Sequence, residues 1–170
     1  MVRMLILFAI ATYLALLVQT AVPLWFPFHA LIPNLIIILT VDLGLRHHGA
    51  IPALLAFAIG YATDAMSGTT IGMNAFLMTG VFLLTYEISS RLLVTNALVG
   101  ATVVFFAVIL AGLGAILITS GRAAGVVIND ALPTLALQAL ISAIVAPIIF
   151  ALMSGSMRMV GLRPARPDRE

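Results

Sequence analysis

Chemistry needs ionisable or nucleophilic side chains, and this chain has few. Asp42 stands four residues before Arg46, and Glu87 stands four before Arg91. Acid first is the favourable order for an i,i+4 pair on one helix face. Each pair can neutralise itself and anchor a helix end, its arginine reaching toward water. The sharper alternative is that Asp42 or Glu87 faces the interior and meets a partner, as intramembrane acids often do. Asp64 differs, because no basic residue stands three or four positions from it. Two uses are open to it. It can accept hydrogen bonds from unpaired backbone N–H groups at a helix start, where the helix dipole is positive. It can also bind a ligand or partner.

Other reactive arrangements are missing. His29, His47 and His48 make no metal set, since adjacent histidines project in different directions and no third ligand is near. All eight basic residues are arginine, and there is no cysteine. Thiolate catalysis and Schiff-base chemistry are therefore excluded, and no basic domain is present for nucleic acid. No Gly-rich phosphate loop, HExxH or GxSxG string occurs. The expectation is a noncatalytic protein without cofactor or metal.

The elements that position these residues follow from composition. Of 170 residues, 63% are hydrophobic and 8% charged, with a mean hydropathy of +1.23. Soluble domains are about 45–50% apolar and about 25% charged. Six apolar segments are read: Met4–Val22, Leu31–Leu45, Ala50–Met66, Ile71–Ser89, Ala97–Thr119 and Ala131–Met153. A spanning helix takes about 20 residues, so six leave no room for a separate soluble domain. The fold class is an all-α membrane protein, a six-helix transmembrane bundle over residues 1–153 with a basic cytoplasmic tail over 154–170. No dyad alternation suggests a β-barrel. Arg3 and the first segment read as an uncleaved span rather than a signal peptide, because Pro23 falls where cleavage would occur. Segment two is short; Phe28 or Ala30 is an alternative start, Pro33 suits its first turn, and Trp25, Phe26 and Phe28 suit an interface. Asp130 reads as the N-cap of segment six.

With six spans and both termini inside, the inner side holds Arg3, Arg46, Arg91, Arg158, Arg163, Arg166 and Arg169, and the outer side only Arg122. That is a positive-inside pattern. The outer half then collects Gln19, Asn34, Asp64, Asn74 and Gln138. Polar groups in lipid need partners, so clustering is expected, as a polar depression opening outward. Gly68 and Gly72 allow a tight turn beside Asp64, and Asn74 can close it from the other side. Ala107, Ala111 and Ala115 form a stripe of small residues at spacing four. Such a stripe serves internal packing or the docking of a foreign helix.

The string Gly60-Tyr-Ala-Thr-Asp64-Ala-Met-Ser67-Gly68-Thr-Thr-Ile-Gly72-Met-Asn74-Ala-Phe resembles the G-x-x-x-D-x-x-S-G-x-x-x-G-x-N motif of the rod shape-determining protein MreD family. Gln19 before Pro23, and Pro33-Asn34-Leu35, are weaker echoes. Asn34 departs from the family's acid there. The outer-half polar cluster and the motif together give a candidate binding set of Gln19, Pro33, Asn34, Asp64, Ser67, Gly68, Gly72 and Asn74. The resemblance implies an inner-membrane scaffold of the elongation machinery that binds MreC and works with RodA, a class B penicillin-binding protein and MreB filaments. Membrane lipid would meet the basic tail. The family is similar in fold to S-components of energy-coupling-factor transporters. A vitamin-binding transport subunit is the alternative function.

Overall fold

The structure is a computed structural model describing residues 2–25, 32–68, 70–91, 97–120 and 124–159. Among the described residues it is all helical: α1 (Val2–Trp25), α2 (Leu35–Arg46), α3 (Ala50–Ser67), α4 (Met73–Arg91), α5 (Ala97–Ser120) and α6 (Ala124–Met159). The six-helix expectation holds. Four helices contain stretches long and apolar enough to cross a membrane: Arg3–Ala21, Ala50–Ser67, Leu98–Ser120 and Asp130–Met159.

The layout departs from six equal spans at α2. This helix has 12 residues, about 18 Å of rise, well short of a hydrocarbon core of about 30 Å. All nine residues from Ile36 to Gly44 are buried. It touches each of the other five helices. A helix that is apolar all round belongs inside, and α2 is the axle of the bundle. It starts at Leu35, so Pro33 precedes its N-cap rather than filling its first turn. The alternative starts at Phe28 and Ala30, and the rings of Trp25, Phe26 and Phe28, lie outside the described residues.

Segment six also changes. Helix α6 begins at Ala124, so Asp130 lies inside it and caps nothing. It continues to Met159 through Ser154, Gly155 and Ser156. Its 36 residues rise about 54 Å, more than the hydrocarbon core is thick.

Helix pairs meet where small residues let them. A Cβ at Gly112 would lie 2.5 Å from Leu135 of α6, and one at Gly114 would lie 2.7 Å from Leu77 of α4. Ala107 and Ala111 are buried among these helices, and Ala115 is half-buried. The chain's own helices therefore cover most of that stripe. The outward faces carry large apolar side chains, among them Ile10, Leu54, Phe76, Phe106 and Ile144.

The described arginines collect at one end. Arg3 and Ser156 line one cavity, which sets the start of α1 beside the end of α6. Ser89 donates to the Leu45 carbonyl at 3.0 Å, which sets the end of α4 beside the end of α2. Arg122, Arg163, Arg166 and Arg169 lie outside the described residues.

Candidate functional site

The motif residues form a clasp between α3 and α4. Helix α3 ends at Ser67, which is exposed, and Gly68 follows at φ 63°. Gly72 takes φ 97° just before α4. Both values lie in the left-handed region, where only glycine is unstrained. These two glycines reverse the chain within a few residues. The reversal points the N-terminus of α4 back at the last turn of α3, where Asp64 is buried.

Asp64 accepts four hydrogen bonds across this turn. The backbone N–H of Gly72 donates to Oδ2 at 2.9 Å, and that of Ala75 donates to Oδ2 at 3.2 Å. Asn74 donates twice to Oδ1, from its backbone N–H at 3.0 Å and from Nδ2 at 2.9 Å. An α-helix leaves its first four N–H groups unpaired, and the dipole there favours an anion. Asp64 meets both demands from a neighbouring helix. The order is that of an N-cap, with the acid supplied eight to eleven residues upstream. One turn earlier on α3, Gly60 lies against the backbone of Asn74 and Ala75. Motif and fold agree: glycines for the turn and the close approach, an acid for the helix start, an amide to close it.

The remaining polar residues form a second group that does not meet the first. Asn34 caps α2, its Oδ1 accepting from the N–H of Ile37 at 3.2 Å. Its own backbone N–H donates to Oγ of Ser142 on α6 at 2.9 Å. Gln19 donates to the Pro33 carbonyl at 3.3 Å, and Gln138 donates to the Ile32 carbonyl at 3.4 Å. Helices α1 and α6 thus hold the irregular entry to α2. The missing family acid at position 34 costs no cap, since an amide oxygen accepts as a carboxylate does. Sequence reading missed Ser142; its only signal is one hydroxyl in an otherwise apolar stretch.

A third group lies at the opposite end. Arg46 Nε donates to Asp42 Oδ1 at 2.6 Å, as the spacing predicts. The guanidinium also crosses to α6, donating to Ser154 Oγ at 2.7 Å and to the Phe150 carbonyl at 3.1 Å. The pair is therefore a cross-tie rather than a local anchor alone. Asp42 is fully buried, and its Oδ2 has no partner among the described residues. Removing one member of a buried pair is expected to cost about 3–5 kcal/mol, because the other charge stays uncompensated. Arg46→Ala should therefore lower the melting temperature in detergent sharply. Asp42→Asn combined with Arg46→Gln should recover much of the loss. The expected Glu87–Arg91 pair lies outside the described residues, since the Arg91 side chain is not among them.

His47 follows α2 and is half-buried, its ring edge-on to Phe8 at 6.0 Å. Burial first, then the charges of Arg46 and His48, lower its pKa below the ordinary 6.5. The unfolded chain takes up the proton first. Its contribution to stability is therefore complete above pH about 7 and is lost as pH falls through 6.5 toward the depressed value. Thermal melts from pH 8 to pH 5 should show this decline. His47→Gln should flatten that part of the profile.

Two cavities stand out among the described residues, of about 550 and 280 Å³. Neither is lined by Gln19, Asn34, Asp64, Asn74 or Gln138. Those residues spend their polar groups on backbone and on one another. No group of three metal-ligating side chains occurs among the described residues.

Residues 1–155 match the family described as rod shape-determining protein MreD. The chain belongs to the MreD family. The match covers the clasp, the α2 cap and the cross-tie alike, so all three lie within the family domain. Membership makes the chain a membrane protein of rod shape determination, acting alongside other Mre proteins. No curated protein and no solved structure matches it, and the likeness to transporter S-components stays an expectation.

Proposed function

We propose that the chain is a noncatalytic scaffold subunit of the bacterial elongation complex. It binds an MreC-type membrane protein, shares the complex with RodA, a class B penicillin-binding protein and MreB filaments, and helps organise lateral peptidoglycan synthesis. It sits in the inner membrane with both termini cytoplasmic. Membership of the family over nearly the whole chain is the observation that carries this reading.

The physical character of the molecule supports it. The motif acid is consumed by four internal hydrogen bonds, which suits a structural clasp better than a reacting group. The small-residue stripe at Ala107 and Ala111 is used internally, which moves a partner helix to another face. That face is the outer side of α3 and α4 next to the clasp, where Phe57, Tyr61 and Phe76 are exposed. Aromatic side chains are common anchors at interfaces. Gln19, Pro33 and Asn34 act at one remove, by fixing the entry to α2.

Detergent capture of the full chain with an MreC-type protein tests the proposal. Capture should succeed, and Phe57→Ala with Tyr61→Ala should weaken it at least ten-fold. Depletion of the protein should round rod-shaped cells. Cells that keep their shape and lose vitamin uptake would replace the scaffold by a transport subunit.

A further inference from the structure

Helix α6 packs differently on the two sides of Pro147. A proline inside a helix has no N–H for the carbonyl four residues before it, here that of Ala143. The ladder lacks a rung at that point, where helices bend most readily. Before Pro147, the buried residues of α6 among those described are Ala139, Ser142 and Ala146. Small residues bring helices close together, and Ser142 and Gln138 are bonded to the entry of α2. Leu135 of the same half lies against Gly112 of α5. After Pro147 the buried residues are Phe150, Met153 and Met157. Methionine is unbranched and adapts its packing when a neighbour shifts.

The second half also borders open space. Four residues of α6 line the side-open gap between α1 and α6: Ile149, Leu152, Met153 and Ser156. All four follow Pro147. Against α2 this half is held by Arg46, which donates to Ser154 Oγ at 2.7 Å and to the Phe150 carbonyl at 3.1 Å. Arg46 is in turn fixed by the buried Asp42. A missing rung, an adaptable contact, adjacent space and a polar catch are the parts of a hinge. We infer that residues 148–159 form an arm, hinged at Pro147 and latched to α2 by Arg46, which swings toward α1 when the latch opens. The half of α6 before Pro147 stays fixed to α2 and α5. Arg163, Arg166 and Arg169 follow the arm in sequence, so the swing displaces the point from which the basic tail departs.

The hinge does not depend on the scaffold reading and can fail without it. The chain has no cysteine, so paired spin labels carry no background. One label is placed through Tyr13→Cys on α1 and the other through Met159→Cys on α6, both at exposed positions outside the lining of the gap. Pulsed electron resonance of the full chain in nanodiscs reads their separation. From Pro147 to Met159 the helix rises about 18 Å, so a bend of about 20° moves its end by about 6 Å. Asp42→Val with Arg46→Met removes the latch, and apolar replacement of both partners leaves no uncompensated charge. The unaltered chain should give one distance. The latch-free variant should add a population shorter by about 6 Å, and Pro147→Ala in the same background should suppress it. With the second label moved to Ile144→Cys, before the hinge, the distance should be the same in every variant. An unshifted distance in the latch-free variant overturns the inference. So does a shift that survives Pro147→Ala or is equally large at Ile144→Cys. If the latch-free variant does not stay monodisperse, Ser154→Ala decides. A shorter minor population in that variant supports the latch, and a single unchanged distance overturns it.

Discussion

Gly60→Ala should almost eliminate folded protein recovered in detergent. A Cβ at position 60 would lie 2.5 Å from Cα of Ala75 and against the backbone of Asn74. The obstacle is backbone rather than the end of a flexible side chain, so no rotamer relieves it. Helices α3 and α4 must move apart. Overpacking alone costs about 1–3 kcal/mol. Here the separation also stretches the bonds of Asp64, one turn along the same face, so a loss of about 4 kcal/mol or more is expected. Gly80→Ala is the control. Gly80 lies within α4 with nothing near its absent Cβ, and alanine there should stabilise by about 0.5–1 kcal/mol. Fluorescence-detected size exclusion after a heating series reads both. Equal profiles for Gly60→Ala and the unaltered chain would show that the close approach has no energetic role.

Asp64→Asn is the second large effect. The substitution keeps the shape and changes one oxygen into a donor. Two acceptor oxygens now receive four N–H groups, from Gly72, Asn74 and Ala75. An amide turns a donor toward at least one of them and removes the charge facing the helix start. Hydrogen bonds to charged groups contribute about 1.5–3 kcal/mol, and the dipole adds up to about 2 in partly buried sites. A loss of about 3 kcal/mol is expected. Asn74→Ala removes one donor and should cost about 1 kcal/mol. The same thermal series ranks the three proteins. A fully stable Asp64→Asn variant that no longer captures its partner would make the carboxylate a recognition group instead of a clasp.

Local features were legible in the sequence, and distant ones were not. The turn at Gly68 and Gly72, with an acid before it that has no arginine three or four positions away and Asn74 after it, states the clasp almost completely. The Asp42–Arg46 spacing states half of the cross-tie. Its other half, Ser154 and Phe150, stands more than 100 positions away and has no local mark. The central place of α2 was hidden for a different reason. Lipid and protein interior are both apolar, so a helix facing lipid and a helix facing neighbours have similar compositions. In water the polar side of a helix reveals its orientation; here that signal is absent. Only the length of α2 hinted at its place, since 10–14 apolar residues suit a buried helix better than a span. The five polar residues read as one outer cluster form two separate groups in the structure. Their division into two groups depends on which helices adjoin, and single-sequence periodicity does not record that.

The axle position of α2 has a consequence for how the chain enters the bilayer. A segment of 12 residues is too short to stay in lipid by its own hydrophobicity, and its start is fastened to Ser142 and its end to Ser154 and Phe150. Those attachments are synthesised about 100 residues later. During translation α2 must wait, shielded by the insertion machinery or lying at the surface, until α6 emerges. The second helix made is then among the last to be settled. Truncations that end before Ser142 should therefore yield a chain that is targeted to the membrane but degraded there.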